Sequence, residues 1–111
     1  MWKSIQEGVP PLIRGRDSAR DFIHVSDVIS AIVLAMQTPV NSRLNISSNA
    51  STKLIDLLMH MQKLLGTNLE PKFSENELGH IHQSQLDNAK AKLLLGWSPL
   101  VNLETGLRLS L

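Results

Sequence analysis

Three arginines, Arg14, Arg16 and Arg20, are the densest group of chemically capable side chains in this 111-residue sequence. A guanidinium presents a planar fork of N–H donors that matches the oxygens of a phosphate. Three such groups within seven residues, beside a glycine, would suit a phosphate or a diphosphate. The alternative is a solvated turn in which Arg20 pairs with Asp17 or Asp21, and the spacing alone favours that alternative. Arg20 differs from the other two because it leads into a predicted strand and can point into the fold.

Two of the four histidines, His80 and His82, flank a single residue, so both would face one side of an extended segment. Together with a carboxylate such as Glu77 they would suggest a metal site. The sequence offers no third ligand at a convincing spacing, and a chance surface pair is the favoured interpretation. His24 is expected to be a hydrogen-bonded structural residue, and His60 to be solvated.

The sequence lacks the common catalytic and dinucleotide-binding motifs. No serine lies in a Gly-x-Ser-x-Gly motif. The six glycines form neither Gly-x-Gly-x-x-Gly nor a phosphate-binding P-loop. Cysteine is absent, which excludes disulfides, thiol catalysis and thiolate metal sites. Serines 47, 48 and 51 precede a predicted helix, where capping is their commoner role and donation to an anion the alternative.

Composition and charge are those of an ordinary soluble protein, with 42% hydrophobic and 19% charged residues. The net charge of +1 is too small to favour a nucleic-acid or membrane surface. No apolar run approaches the roughly 20 residues of a membrane span, and the N-terminus lacks the pattern of a signal peptide. We therefore expect one domain over residues 1–111 and a cytoplasmic location.

The chemically capable residues must be positioned by short strands that alternate with helices. This order favours the α/β class, as a small α+β domain of three to four helices with too few strands for a complete Rossmann sheet. A wide apolar stripe over residues 28–36 predicts a helix buried on more than one side. Met59 and Met61 are expected in the core, and Trp97 is expected to anchor the third helix. The predicted strands cover residues 12–14, 21–25, 43–47 and 72–74, and the predicted helices begin at Ser26 or Asp27, at Ser51 or Thr52, at Asp87 and at Leu103, with Gly66 and Gly96 ending the second and third.

Five segments, in order, resemble the carboxyl-terminal part of NAD-dependent epimerases and dehydratases. These enzymes form the extended short-chain dehydrogenase/reductase family, of which UDP-glucose 4-epimerase is the familiar member. The segment at residues 20–28 is similar to the family's Arg-Asp-Phe-Ile-Tyr/His-Val-x-Asp-Val. The segment at residues 87–99 is similar to its Asp-x-x-Lys-Ala-x-x-x-Leu-Gly-Trp-x-Pro. The five segments are PLIRG at 11–15, RDFIHVSDV at 20–28, LNISSN at 44–49, DNAKAKLLLGWSP at 87–99 and LETGL at 103–107.

The resemblance implies a substrate-binding-type domain that completes a nucleotide-sugar site below a Rossmann half. It implies that Arg20 contacts the diphosphate of the nucleotide sugar, and that His24 and Asp27 are architectural, with Asp27 opening the helix. Catalysis in the family needs NAD on a glycine-rich turn and a Tyr-x-x-x-Lys pair. The sequence contains no tyrosine. NAD is therefore expected only with a Rossmann half, and the isolated chain is expected to be inactive.

The sequence departs from the family pattern at two places that bear on nucleotide binding. The family's Gly-Asp-Gly turn is shortened to Gly15-Arg16-Asp17. Its Arg-Pro-Gly-Asp/Glu segment aligns with residues 77–80, where Glu77 stands in place of arginine and would repel a diphosphate.

The sequence leaves three hypotheses open. The first is a fragment or truncated relative of an epimerase/dehydratase that retains only the substrate-binding part, with Arg20, Arg14 and Arg16 as its binding residues. The second is a non-catalytic module for a phosphate or a nucleotide sugar. The third is an interaction domain that docks on a separate Rossmann subunit or on itself.

Overall fold

The computed structural model describes residues 1–74 and 85–110. Within them the chain forms five helices and four short strands, one helix more than predicted, and the predicted α/β class is confirmed. Their order along the chain is α1 (Trp2–Gln6), β1 (Leu12–Arg14), β2 (Ala19–Arg20), α2 (Val25–Gln37), β3 (Thr52–Lys53), α3 (Leu54–Leu65), β4 (Lys72–Ser74), α4 (Ala89–Leu95) and α5 (Leu103–Ser110).

The described residues divide into two compact units. The first comprises Met1–Arg20 and the segment that begins at Thr52, and the second comprises Asp21–Ser51 and the segment that begins at Gln85. Each unit has its own hydrophobic core. No helix in the described part of the chain is both long enough and apolar enough to cross a bilayer.

The first unit is built around two two-stranded sheets and helix α3. Strands β1 and β4 pair in parallel, with Ile13 opposite Phe73, whereas β2 and β3 pair antiparallel, with Arg20 opposite Thr52. Ile13 packs with Ile5 of α1 and Leu58 of α3, and all three are almost fully buried. The predicted strands at 12–14 and 72–74 are therefore confirmed.

Helix α3 follows its predicted apolar spacing and ends where the sequence predicts. Gly66 adopts φ +70°, the left-handed conformation that closes a helix with least strain on glycine. The start differs from the prediction, because Thr52 pairs in β3 and Lys53 precedes the helix without a side-chain cap. Met59 is exposed, so its predicted place in the core is wrong. Met61 packs against the core of the first unit, as predicted.

The second unit places α2 beside α4 around a buried tryptophan. Trp97 is 2% exposed and packs with Ala31, Ala91 and Leu95, which confirms its predicted role as an anchor. Its Nε1 donates to the carbonyl oxygen of Asp27 at 2.9 Å and to the hydroxyl of Ser30 at 3.0 Å. The indole therefore fills the core without leaving its polar atom unpaired.

Two predicted strands of this unit are wrong. Residues 21–24 are irregular and α2 already begins at Val25. Residues 43–47 also take no regular structure. In both segments side-chain acceptors and donors take the place of a strand ladder. Asp21 accepts from the backbone N–H groups of Ser48 and Asn49, at 2.9 and 3.1 Å.

The start of α2 and its burial also differ from the predictions. His24 is the N-cap, since its Nδ1 accepts from the backbone N–H of Ser26 at 3.1 Å. Asp27 and Ala31 are the buried residues of α2. Its wide apolar stripe is largely exposed, so the prediction of burial on more than one side is wrong for this chain.

Candidate functional site

The arginine turn, residues 14–20, links β1 to β2 in the first unit. Gly15 adopts φ +79°, and its backbone N–H donates to the carbonyl of Ser74 at 2.9 Å. The N–H of Ser18 donates to the carbonyl of Gly15 at 3.1 Å and closes the predicted turn. The Ser18 hydroxyl donates to the carbonyl of Arg14 at 2.8 Å, and Ser18 is fully buried. These bonds hold the backbone of the turn in one conformation.

The three arginines differ in their surroundings. Arg14 and Arg16 are exposed, whereas Arg20 is half-buried. The guanidinium carbon of Arg16 lies 4.1 Å from the centroid of the Phe73 ring, a cation–π distance. Arg20 donates from Nη1 to the carbonyl of Ala19 at 2.8 Å. The structure thus places Arg14 at the end of β1, Arg16 between the strands and Arg20 in β2, with Arg20 the most enclosed. Arg20 belongs to β2 and does not lead into the strand predicted at residues 21–25.

The two acids near the turn have partners other than the arginines. Asp17 lies 3.8 Å from the ammonium of Lys53, in an exposed ion pair. Asp21 accepts from the backbone and hydroxyl of Ser48 and from the backbone of Asn49. The partners shown for these two carboxylates among the described residues are Lys53, Ser48 and Asn49.

Asp27 is the buried acid of the second unit and does not open α2. Its two carboxylate oxygens accept from the backbone N–H groups of Leu100 and Val101, at 2.9 and 3.1 Å. The acid thereby ties the segment before α5 to α2. It is architectural, as the resemblance implies, but through contacts more than 70 residues away in sequence.

The histidines take no part in a cluster among the described residues. His24 caps α2, and its ring faces Gly106, since a Cβ added to that glycine would lie 3.4 Å from the His24 Cδ2 atom. His60 is half-buried on α3 and not fully solvated. The pair His80 and His82, with Glu77, lies outside the described residues. In the parts described, no group of three or more metal-ligating side chains comes together.

Asn88 is a polar residue that the sequence analysis missed. It is 1% exposed, and its Nδ2 donates to the carbonyl of Ser47 at 2.9 Å. Among residues 1–74 and 85–110, its Oδ1 has no hydrogen-bond partner. The adjacent Asp87, predicted as the cap of α4, accepts from the backbone N–H of Ala89 at 2.9 Å. In the sequence Asn88 lies between the predicted cap and the helix. That position does not distinguish a buried residue with a long-range hydrogen bond from an exposed turn residue.

The comparisons with known proteins agree with the resemblance. Residues 1–49, which include all three arginines, match the model of the NAD dependent epimerase/dehydratase family. UDP-glucose 4-epimerase from Mycolicibacterium smegmatis is 34% identical over 89 residues, which are 79% of this chain and 28% of that protein. UDP-glucuronic acid decarboxylase 1 from Xenopus tropicalis is 32% identical over 91 residues, which are 82% of this chain and 22% of that protein.

A solved structure shows the same fold in a longer protein. The crystal structure of UDP-glucose 4-epimerase with UDP-glucose from Thermotoga maritima matches with a TM-score of 0.90 and 34% identity, covering 97% of this chain and 35% of that one. The chain spans about a quarter of the length of the curated relatives it matches. This chain is therefore similar, in sequence over residues 1–49 and in fold over nearly its whole length, to part of the proteins of the NAD-dependent epimerase/dehydratase family.

Proposed function

We propose that residues 1–111 form the carboxyl-terminal, substrate-binding-type part of a nucleotide-sugar epimerase/dehydratase relative. In this proposal Arg20, with Arg14 and Arg16, binds the diphosphate of a nucleotide sugar. The observation that carries it is the placement of three arginines on one anchored turn within the segment that matches the family.

The chemistry of the turn suits a diphosphate. Each guanidinium can donate two parallel N–H bonds to phosphate oxygens, and such charge-assisted bonds are stronger than neutral ones. Arg20 is half-buried, so its bonds compete less with water than those of the two exposed arginines. The Thermotoga maritima relative was solved with UDP-glucose, which supports a UDP-sugar as the first ligand to test.

The proposal assigns no catalysis to the isolated chain. A dinucleotide site of the family type needs a strand, a glycine turn and a helix in succession. Here Gly15 follows β1 but leads into strand β2, so this turn does not fit NAD. The proton-transfer tyrosine of the family is missing because the sequence has no tyrosine. We expect no turnover of UDP-glucose with NAD, and turnover by the 111-residue chain would contradict the proposal.

Binding is tested by isothermal titration calorimetry with UDP-glucose on the wild-type chain, Arg20→Ala and Arg43→Ala. Loss of one charged donor costs about 1.5–3 kcal/mol, so Arg20→Ala should weaken binding roughly 10- to 100-fold. Arg43 is an exposed arginine of the second unit, and its variant should bind like the wild type. No heat with the wild type, or equal affinity after Arg20→Ala, would refute the assignment.

A second candidate function, an interaction domain, is favoured by one observation. Helix α2 exposes an apolar face that an isolated soluble domain normally covers.

A further inference from the structure

Phe73 offers an aromatic surface to one of the arginines of the turn. The guanidinium carbon of Arg16 lies over the Phe73 ring, 4.1 Å from its centroid. Phe73 lies in β4 and is half-buried, and it packs against the core formed by Ile5, Ile13 and Leu58. The ring is thus held by the core of the first unit and also contacts an exposed, charged side chain.

The backbone fixes the strand that carries Phe73 relative to the turn that carries Arg16. Strands β1 and β4 pair in parallel, with Phe73 opposite Ile13. The backbone N–H of Gly15 donates to the carbonyl of Ser74 at 2.9 Å, which joins the residue before Arg16 to the residue after Phe73. The position of the ring beside the turn is therefore set by the fold and not by a ligand.

An aromatic ring can order an arginine side chain without using its hydrogen-bond donors. A free arginine side chain samples many rotamers, and a ligand that fixes it loses affinity to that ordering. At 4.1 Å the guanidinium of Arg16 is close enough to stack on the ring. In a stacked pair the N–H groups point outward in the guanidinium plane, where phosphate oxygens can accept from them. A carboxylate partner would order the side chain as well, but it would occupy these donors and neutralise the charge.

We propose that Phe73 is a positioning residue for nucleotide-sugar binding, which holds Arg16 ready for the diphosphate. This inference rests on the proposed function, because it needs the anion site that the arginines form. It adds a residue of β4, outside the arginine turn but in the same unit, that acts through Arg16 and not by its own contact with the ligand. The contribution of the ring should therefore disappear when Arg16 is removed.

The test is isothermal titration calorimetry with UDP-glucose on the wild-type chain, Arg16→Ala, Phe73→Leu and the double variant. Leucine keeps an apolar side chain against the core but removes the ring. Phe73→Leu should weaken binding roughly 3- to 10-fold, the range expected for ordering one long side chain on binding, and Arg16→Ala should weaken it at least as much. In the Arg16→Ala background, Phe73→Leu should change the affinity by less than about 2-fold. A merely structural role of Phe73 would weaken binding equally in both backgrounds.

Two control variants separate the ring from its packing. Phe73→Tyr keeps an aromatic face and should bind like the wild type. Leu65→Ala removes apolar packing from the same core, because Leu65 packs against it from α3. Leu65→Ala should lower the melting temperature and leave the affinity unchanged. Circular dichroism checks that each variant folds.

A measurement on the wild-type chain does not depend on the folding of any variant. The ring current of Phe73 should move the Hδ resonances of Arg16 upfield in the NMR spectrum, and they should stay there at saturating UDP-glucose. Their return to ordinary arginine positions on binding would overturn the inference, because Arg16 would then leave the ring to bind.

The outcomes also separate this inference from the proposed function. Binding that is weakened by Arg20→Ala but is equal in the wild type and Arg16→Ala would overturn the inference alone. Equal weakening by Phe73→Leu with and without Arg16 would do the same. A wild-type chain that binds no UDP-glucose would overturn the proposed function, and this inference with it.

Discussion

Replacement of Asp27 by alanine should destabilise the second unit more than any surface charge change. The Asp27 carboxylate is buried and accepts from the backbone N–H groups of Leu100 and Val101, at 2.9 and 3.1 Å. In Asp27→Ala both donors lose a charged acceptor. Leu100 is exposed and Val101 is half-buried, so water replaces only part of what the two bonds contribute.

The magnitude follows from the two bonds. A hydrogen bond to a charged group contributes about 1.5–3 kcal/mol. Both N–H groups are partly accessible to water, so the expected loss is near the lower end, about 3 kcal/mol in total. At about 4 °C per kcal/mol for a chain of this size, the melting temperature should fall by roughly 12 °C. Asp27→Asn keeps one accepting oxygen and should lose about 2 kcal/mol.

The assay is urea and thermal unfolding followed by circular dichroism and by the fluorescence of Trp97, which lies in the core of the same unit. Asp17→Ala is the matched control. Asp17 forms an exposed ion pair with Lys53 at 3.8 Å, and its side chain is 70% exposed. Such a pair contributes about 0.5 kcal/mol or less. If Asp27→Ala costs no more than Asp17→Ala, the two backbone bonds do not stabilise the unit as we reason here.

Two further predictions concern the ends of α3 and α4. Gln62→Ala should lower the free energy of unfolding by about 2–3 kcal/mol in urea, because the buried Gln62 amide donates to the Leu69 carbonyl at 2.9 Å and accepts from Leu69 and Thr67. The control Gln37→Ala, at an exposed position, should have almost no effect. Equal effects of the two substitutions would contradict a stabilising role for the Gln62 bonds. Gly96→Ala should lower the free energy of unfolding by about 1 kcal/mol, because Gly96 adopts φ +67°, where a side chain is strained. An added Cβ would meet no atom within 4 Å, so backbone strain is the whole expected effect. An unchanged stability of Gly96→Ala in the same unfolding assay would refute this prediction.

Features set by neighbours in the sequence were predicted correctly. Strand β1, the left-handed glycines that end α3 and α4, and the burial of Trp97 are confirmed. Helix periodicity, closing glycines and large aromatic side chains act over a few residues, so they can be recognised from the sequence alone.

Features set by distant partners were not predicted. Residues 21–25 have the composition of a strand, yet Asp21 bonds to a loop 27 residues away and α2 starts at Val25. The acid expected to open α2, Asp27, bonds instead to backbone 73 and 74 residues further on. No local pattern specifies such partners, because the same side chain satisfies a cap, a turn or a long-range tie.

The sequence by itself determined the family resemblance, the α/β class, the arginine turn and the absence of the tyrosine that the family uses in catalysis. The tertiary structure decided which side of α2 is buried. An apolar stripe indicates that burial of that helix face is favourable. The periodicity does not identify the surface that buries it. In this chain Ala31, on the opposite side, packs into the core, and the wider apolar face of α2 is exposed.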